Sequence, residues 1–200
     1  SSPTAAPDFL PLSPGARGVA GGSGRVAFAS GPANRSSTGP SSRAGGAAAG
    51  IRHALARGAS HVVLLNNDTV VAPDFATELV RAARADPAIG LACSKIYRHD
   101  RPDTLWYAGA TFHPWLGWGR HRGYGERDTG QFDVLEETPR PTGCALLATR
   151  RLCETVGLLR EEMFCYLEDL DWGMRARAAG FKVVYVPRSR VWHKVSRSTG

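Results

Sequence analysis

Short apolar runs alternate with segments of helical periodicity beyond about residue 44, and this alternation limits the folds available to the chain. Residues 61–65 form an apolar, β-branched run that is typical of a buried strand. Phe75, Leu79 and Ala82 recur at the spacing of one helix face. The other predicted elements are a helix from about Ala47 to Gly58, strands over 89–97, 142–148, 182–186 and 190–193, a helix near Leu152, and a helix over 167–179 with Leu170, Met174 and Ala178 as its apolar stripe. This order predicts a layered α/β domain.

The first 43 residues differ in composition from the rest of the chain. They are rich in Gly, Ser, Pro and Ala, carry one acid against four Arg, and show no persistent helical or strand period. Such a composition is typical of segments that bury too little apolar surface to fold. We therefore predict a low-complexity, disordered lead-in over residues 1–43 and a structured domain over residues 44–200.

The 200-residue chain has a net charge of +7 and a pI near 9.7, which favours an anionic partner. A phosphate-bearing ligand, a nucleic acid and an acidic membrane face all meet that description. No apolar run reaches the roughly 18 residues of a membrane span, and no N-terminal signal pattern is present. We therefore expect a cytoplasmic protein.

The four cysteines are Cys93, Cys144, Cys153 and Cys165. None forms a CxxC pair, and each has apolar neighbours, so the spacing supports neither a zinc site nor a disulfide framework. We predict reduced, mostly buried thiols.

Asn66-Asn67-Asp68-Thr69 directly follows the strand predicted over 61–65. In open α/β sheets, ligands bind beyond the carboxyl ends of the strands. An acid placed there can hold a hard divalent cation through oxygen, and that cation can bridge two phosphates. A plain turn is the alternative, because Asn and Asp are natural turn residues.

Three carboxylates lie within four residues in Glu168-Asp169-Leu170-Asp171, at the start of a predicted helix. Their mutual repulsion tends to raise their pKa values, whereas the helix N-terminus favours negative charge. A carboxylate held in such a place can act as a general base. Charge complementarity at a helix end is the alternative interpretation.

His193 lies at the end of an apolar strand pattern, after Val191 and Trp192. Taken alone, such a histidine is either a structural residue or a metal ligand. Together with the two acidic motifs, it supplies oxygen and imidazole ligands beside a further carboxylate. That combination suits metal-assisted displacement at a diphosphate-activated carbon.

Three segments together resemble the family 2 glycosyltransferases of GT-A fold: LLNNDTVVAPDF, PTGCALLATR and FCYLEDLDWGMRARAAGFKVVYVPRSRVWHK. The resemblance covers about residues 44–200 and is nearest to the rhamnosyltransferase-like bacterial branch. The last segment is the most specific, because it gives an acid, a helix, a strand and a histidine in one order. The resemblance implies a Rossmann-like, three-layer sandwich with a mixed, mostly parallel sheet, and a partial catalytic core over residues 44–200.

The resemblance implies a donor site at the first of these segments. Asp68 stands at the position of the family's metal-binding acid, and His193 matches a histidine that ligates the metal in some members. These two residues would hold Mn²⁺ or Mg²⁺. Asn66, Asn67, Asp68 and Gly143 would bind the donor, which would be a dTDP-, UDP- or GDP-sugar.

The resemblance also implies an inverting transfer with Asp169 as the general base. Asp169 would take the proton of an acceptor hydroxyl, whose oxygen attacks the anomeric carbon in line, while the metal neutralises charge on the departing nucleoside diphosphate. Trp106, Glu168, Asp171 and Trp172 would contact the acceptor, a glycan or lipid-linked glycan of cell-envelope synthesis. The nearest branch suggests rhamnose as the sugar, and such acceptors are compatible with peripheral contact to the inner face of the plasma membrane.

Residues 98–140 are polar, aromatic and Gly-rich, with short strands predicted around Trp106 and Phe112. This stretch is too long for a structureless connector, which indicates a functional excursion. Its aromatic and basic residues are interleaved: Trp106, Tyr107, His113, Trp115, Trp118, His121 and Tyr124. Aromatic faces stack on sugars and basic groups hold diphosphates. A satellite cluster that pins the loop is the alternative.

Both ends of the chain depart from the family pattern. Family members open with a hydrophobic strand and a nucleotide-binding loop, and residues 1–43 contain no such pattern. The chain also stops at Gly200, where family members usually continue. We hypothesise that the chain is a fragment, or that its N-terminal part is altered or shifted in frame, and we expect an incomplete donor pocket.

Two other functions stay open at this stage. The net charge and the basic, aromatic loop also fit a nucleic-acid-binding protein, whose affinity would fall steeply with salt. The same carboxylates also fit a metal-dependent phosphohydrolase, which needs no acceptor. The nucleic-acid interpretation leaves the Glu-Asp-x-Asp motif and His193 without a role, so we predict no nucleic-acid partner.

Overall fold

A mixed β-sheet of ten strands lies at the centre of the computed structural model, which describes residues 8–11, 17–21, 24–29, 43–113, 115, 118–163 and 167–195. The strands are Asp8–Pro11 (β1), Arg17–Gly21 (β2), Gly24–Ala29 (β3), Ala59–Leu65 (β4), Thr69–Val71 (β5), Ile89–Arg98 (β6), Leu105–Tyr107 (β7), Ala110–His113 (β8), Trp118–His121 (β9), Glu136–Glu137 (β10), Ala145–Thr149 (β11) and Lys182–His193 (β12). The helices are Arg43–Ala56 (α1), Phe75–Ala85 (α2), Arg150–Val156 (α3) and Glu168–Ala178 (α4). β8 and β9 form a hairpin apart from the main sheet.

The central strands stand in the order β3, β4, β11, β6 and β12. β3 is parallel to β4, β6 is parallel to β12, and β11 runs antiparallel between β4 and β6. Four of these five strands therefore point the same way, which confirms the predicted mixed, mostly parallel sheet. α1 packs on β3 and β4, while α2 and α4 pack on β6 and β12. The carboxyl ends of β4, β6 and β12 consequently lie at one edge of the sheet.

The predicted core elements form where the apolar patterns indicated. Val62 and Val63 of β4 are fully buried, and Phe75 and Leu79 of α2 face the core. Gly58 adopts φ +83° just after α1, so the helix ends at a residue without a Cβ. None of the described helices is long and apolar enough to cross a membrane.

Three of the described strands lie before residue 44, in the segment whose composition showed no strand period. β3 buries Val26 and Ala29 in its parallel pairing with β4. A Cβ on Gly50 would lie only 2.8 Å from the Ala29 Cβ, so glycine lets α1 approach β3 closely. β3 has only six residues, and the Gly-, Ser- and Pro-rich stretches on either side dominate the local composition. The composition of this region therefore does not indicate a strand. The division into a lead-in and a catalytic core stays a prediction.

α4 buries a different face from the predicted one. Met174 is 52% exposed and Ala178 is also exposed, whereas Trp172 is fully buried. A Cβ on Gly173 would lie 2.6 Å from the Pro141 Cδ. Leu170 is buried as predicted, whereas the prediction is wrong for Met174 and Ala178, because the close approach of Gly173 to Pro141 turns the face with Trp172 inward.

The stretch 98–140 contains β7, β8, β9 and β10, which confirms the strands predicted around Trp106 and Phe112. Cys93, Cys144 and Cys153 are buried, as predicted, and within the described residues they form no disulfide. Burial raises the pKa of the Cys93 and Cys153 thiols to about 12, so both stay protonated at neutral pH. Cys165 lies outside the described residues.

Candidate active site

The carboxyl ends of β4 and β12 bring Asp68 and His193 together. β5 pairs with β12 and sets His193 opposite Thr69, the residue after Asp68. Asp68 Oδ2 and His193 Nε2 lie 3.2 Å apart, and the Asp68 carbonyl accepts a hydrogen bond from the Lys194 N–H at 2.8 Å. The two side chains are 26% and 11% exposed. An acid and an imidazole from distant parts of the chain therefore lie together in a mostly buried position at the sheet edge.

The turn that carries Asp68 is held by hydrogen bonds at Asn66. The Asn66 N–H donates to the Cys144 carbonyl at 2.9 Å, and the Asn66 carbonyl accepts from the Thr69 hydroxyl at 2.6 Å. Asn67 is exposed. Asn66 therefore supports the geometry of the turn, and the roles of Asn66 and Asn67 in donor binding stay predictions.

Asp169 is held in the first turn of α4 by two main-chain donors. The Gly143 N–H donates to Asp169 Oδ2 at 2.9 Å, and the Leu170 N–H donates to Oδ1 at 2.8 Å. Leu167, which precedes the helix, has a left-handed backbone with φ 76°. Each carboxylate oxygen thus has a fixed direction and keeps a further lone pair for another donor. The helix N-terminus stabilises the negative charge.

Trp106 lies between two imidazole rings. Its indole meets His193 edge to face, with ring centroids 4.9 Å apart, and meets His121 in the same way at 4.6 Å. His121 Nδ1 lies 3.1 Å from the Trp106 carbonyl, which can only accept, so the Nδ1–H donates this bond. His121 also contacts the ring of Tyr107, with centroids 5.1 Å apart.

Hydrogen bonds link Asp169 to the turn after β4. The Asp169 carboxylate accepts from the Gly143 N–H, and the carbonyl of the next residue, Cys144, accepts from the Asn66 N–H; the charge of Asp169 also acts on His121. The resulting series, which we call the edge circuit, consists of Asp68, His193, Trp106, His121, Asp169, Gly143, Cys144 and Asn66. The structure thereby brings the predicted acid, base and histidine into one region.

Burial sets the protonation of two ring side chains in this region. Desolvation lowers the pKa of His121, against the opposing effects of its bond to the Trp106 carbonyl and of the Asp169 charge. With a lowered pKa and Nδ1 carrying the proton, His121 presents Nε2 as an acceptor at neutral pH. Desolvation also raises the pKa of Tyr107 well above its ordinary value. The Tyr107 hydroxyl therefore stays protonated and donates to the Arg140 carbonyl at 2.9 Å.

The predicted acceptor residues on α4 have different surroundings. Glu168 is half-buried at the start of the helix. Asp171 accepts from Arg175 Nε at 2.8 Å, and the same guanidinium donates to two main-chain carbonyls, so Asp171 holds the helix in place. Trp172 is fully buried and its indole N–H donates to the Gly157 carbonyl at 2.9 Å. The predicted acceptor contact of Trp172 is therefore wrong, because this side chain belongs to the core.

The interleaved residues of the stretch 98–140 do not gather on one surface. Trp106, Tyr107 and His121 join the site, whereas Trp115 is 98% exposed and Tyr124 is 54% exposed. The structure describes the backbone of Trp118 but not its side chain. The sequence analysis missed Arg140, whose charge also acts on His121. The sequence feature that could have drawn attention to Arg140 is its position between Pro139 and Pro141, shortly before β11.

Asp68 and His193 form a donor set that fits a divalent cation. Among the described residues, no group of three or more His, Cys, Asp or Glu side chains is arranged to hold a metal. Mg²⁺ and Mn²⁺ favour oxygen ligands and are commonly held by one or two carboxylates together with substrate phosphates, and a neutral imidazole is a common metal ligand in proteins. Asp68 Oδ2 and His193 Nε2 lie 3.2 Å apart, so both atoms fit around one such ion when substrate oxygens complete its coordination.

The architecture is that of the GT-A glycosyltransferases. A crystal structure of GalNAc-T7 with UDP, GalNAc and Mn²⁺ matches the chain with a TM-score of 0.53. The sequence identity is 18%, and the match covers 72% of this chain and 29% of that one. At this identity the likeness concerns the fold, which agrees with the predicted class.

Residues 32–199 match the family model described as glycosyltransferase like family 2, and the chain belongs to that family. An uncharacterised protein of Sinorhizobium fredii, y4gI, is 30% identical over an alignment of 158 residues that covers 74% of this chain and 17% of that protein. N-acetylglucosaminyl-diphospho-decaprenol L-rhamnosyltransferase of Mycobacterium tuberculosis is 41% identical over an alignment of 70 residues that covers 33% of this chain and 23% of that enzyme. The chain thus spans less than a quarter of the length of either relative.

Proposed function

We propose that this chain is the acid–base core of a glycosyltransferase, which moves a sugar from a nucleotide-diphosphate donor to an acceptor hydroxyl with inversion. Membership of glycosyltransferase family 2 supports sugar transfer. One observation carries the chemistry: Asp169 is fixed by two main-chain donors in the same edge circuit as Asp68 and His193. A general base and a cation-binding pair are the groups that this reaction needs.

Asp169 acts as the general base in the proposed mechanism. Its carboxylate takes the proton of the acceptor hydroxyl while the hydroxyl oxygen forms a bond to the anomeric carbon. The bond from that carbon to the diphosphate breaks in the same step, so attack and departure occur on opposite faces of the sugar. The hydrogen bonds from Gly143 and Leu170 fix both carboxylate oxygens, which limits the rotation of the base before the proton is transferred.

Asp68 and His193 would hold Mn²⁺ or Mg²⁺ on the donor side of the site. When bound, the cation would supply Lewis-acid stabilisation of the charge on the departing nucleoside diphosphate. The protein contributes the spacing of the two ligands, and Trp106 orients the His193 ring from its edge. Asn66 and Asn67 directly precede Asp68 in the chain, and Gly143 is a member of the edge circuit. This proximity to the pair supports a role for all three residues in donor binding.

We propose a lipid-linked glycan as the acceptor and a dTDP-, UDP- or GDP-sugar as the donor. The mycobacterial relative is named as a rhamnosyltransferase acting on a diphospho-decaprenol carrier, which supports rhamnose as the first sugar to test. The net charge of +7 suits an anionic carrier at a membrane surface. Trp106 and Glu168 are the proposed acceptor contacts.

A donor-turnover assay with and without acceptor tests the proposal. The full chain would be given dTDP-rhamnose, UDP-N-acetylglucosamine or GDP-mannose with Mn²⁺, and a diphospho-lipid-linked N-acetylglucosamine as acceptor. We expect nucleoside diphosphate release that depends on the acceptor, and a product whose anomeric configuration, determined by NMR, is inverted. Acceptor-independent release would indicate the phosphohydrolase alternative, and a retained configuration would exclude the direct displacement.

A further inference from the structure

A cavity of about 560 Å³ opens at the outer edge of β12 and is lined by no member of the edge circuit. β12 pairs with β10 at residues 184–185 and with β5 at residues 191–193. The stretch between these two pairings, which includes Pro187, Arg188 and Arg190, forms one wall. The volume lies within the range of about 300–1,000 Å³ that small-molecule sites occupy.

Lys95, which β6 places beside Arg190 of β12, holds two carboxylates that line this cavity. Its side chain is 2% exposed, and its ammonium group donates to Asp128 Oδ2 at 2.8 Å and to Asp133 Oδ1 at 2.5 Å. The Tyr97 hydroxyl donates to Asp128 at 2.6 Å, and the Gly130 N–H donates to the other Asp128 oxygen at 3.0 Å. Asp128 is thus nearly saturated, whereas the Asp133 side chain is 64% exposed and can accept further hydrogen bonds.

Asp74 is a third acid that lines the cavity, and its side chain does not cap its own helix. It occupies the N-cap position of α2, where an aspartate side chain normally accepts from the first turn. Within the described residues its side chain makes no such capping bond, and the residue lines the cavity instead. Asp74 therefore adds to the cavity lining a carboxylate that does not cap α2.

The charges on the cavity wall balance one another. The described lining residues include three acids and three bases: Asp74, Asp128, Asp133, Lys95, Arg188 and Arg190. Lys95 pairs with both Asp128 and Asp133, and Arg188 pairs with Glu78 at 3.3 Å. An ion of either sign therefore meets charges of both signs on this wall, and the six side chains have no net formal charge. A neutral molecule with many hydroxyl groups finds both carboxylate acceptors and guanidinium donors.

We propose that this cavity is a saccharide subsite, which takes a neutral sugar residue and holds it between Asp74, Asp133 and Arg190. In taking that sugar to be part of the acceptor glycan, the inference rests on the proposed function. Arg190 and His193 lie three residues apart on β12, which is about 10 Å along a strand. Tyr97 stacks on Trp192 at 5.6 Å and joins the cavity to the edge circuit. Side chains three residues apart on a strand leave opposite faces of the sheet, so a chain of sugars would have to pass around the sheet edge to join the edge circuit to this subsite, and the subsite therefore selects acceptors longer than one sugar.

Saccharide binding without donor or metal tests the subsite directly. The ¹⁵N-labelled full chain would be titrated with N,N′-diacetylchitobiose and with methyl glycosides of N-acetylglucosamine, glucose and rhamnose, and separately with inorganic phosphate and MgCl₂. We expect saturable shifts at Arg190 and Asp133 with at least one saccharide. Asp133→Asn and Arg190→Gln should each lower that affinity at least tenfold. Asp86→Asn, which changes the same charge in the exposed ion pair with Lys182, should leave it unchanged.

Three results would overturn the subsite: shifts with phosphate or Mg²⁺ but with no saccharide, no shift with any probe, or an equal loss of affinity in Asp86→Asn. The proposed function is tested separately by Asp169→Asn, which should bind the saccharide normally while losing transfer. Saccharide binding in a chain that transfers no sugar would refute the proposed function and keep the subsite. Sugar transfer without saccharide binding at Arg190 would refute the subsite and keep the proposed function.

Discussion

The indole ring of Trp106 lies edge to face against the imidazole of His193, with ring centroids 4.9 Å apart and ring planes inclined at 75°. The opposite neighbour of Trp106 is His121, at 4.6 Å and 70°. These edge-to-face contacts connect His193, at the end of β12, with the hairpin of β8 and β9. A side chain predicted to contact the acceptor therefore also packs against a predicted metal ligand.

Replacing Asp169 with Asn should lower transfer about 10²- to 10⁴-fold, because the general base is lost. Asn also has one carbonyl oxygen for the two main-chain donors at Gly143 and Leu170, so one N–H loses its partner. We expect a stability loss of about 1–3 kcal/mol from that N–H. Activity is therefore measured well below the midpoint of thermal unfolding. Asp86→Asn, which changes a carboxylate in the ion pair with Lys182, is the control, and equal loss of transfer in both variants would contradict the assignment.

Asp68→Ala and His193→Ala should each weaken Mn²⁺ binding about tenfold or more, which corresponds to about 1.4 kcal/mol. Each variant removes one of two protein ligands that lie 3.2 Å apart. Electron paramagnetic resonance of Mn²⁺, recorded with a nucleoside diphosphate present, measures the affinity independently of turnover. Asp86→Asn serves as the control for a changed surface charge. Wild-type affinity in both alanine variants would place the cation elsewhere.

Trp172→Phe should destabilise the fold by about 1–3 kcal/mol without affecting the acceptor site. The ring is fully buried, and the substitution removes both volume and the hydrogen bond to the Gly157 carbonyl. Urea unfolding measures the stability, and the acceptor KM of the folded variant is determined in parallel. A raised acceptor KM at unchanged stability would restore the original prediction that Trp172 contacts the acceptor.

Gly50→Ala should destabilise the chain by about 1–3 kcal/mol through overpacking against β3. The new Cβ would lie 2.8 Å from the Ala29 Cβ, which has no flexible end that can move away. The gain in helix propensity is at most about 1 kcal/mol and offsets only part of that loss. Combining Gly50→Ala with Ala29→Gly should restore stability in urea unfolding. Stabilisation by the single substitution would mean that α1 does not pack on β3 at this position.

Stability should fall as the pH drops below about 6.5, the ordinary histidine pKa of the unfolded chain. Desolvation lowers the pKa of both His121 and His61 in the folded chain. The unfolded state then binds more protons, so the stability present above pH 6.5 is lost progressively until the lowered folded pKa values are reached. Urea unfolding at pH 7.5 and 5.5 should show a smaller decrease in His121→Gln and His61→Gln. An unchanged pH dependence in both variants would exclude these two side chains as its source.

The order of elements and the place of the chemical motifs follow from local sequence patterns. The apolar run over 61–65 becomes β4, and the Asn-Asn-Asp turn after it reaches the sheet edge, because a buried strand must end where polar residues begin. Asp169 lies in the first turn of α4 because the acidic cluster marks a helix start. Such signals depend on neighbouring residues, so a single sequence suffices to interpret them.

Tertiary packing decided what these patterns left open. β3 gains its burial only by pairing with β4, so a short apolar run among glycines and prolines carries little signal of its own. Gly173 packs against Pro141 and thereby turns Trp172 inward, which no helical period indicates. The contacts of Trp106 with His193 and His121 join separate strands and a hairpin. Contacts between residues far apart in the chain depend on how whole elements pack, and local composition does not contain that information.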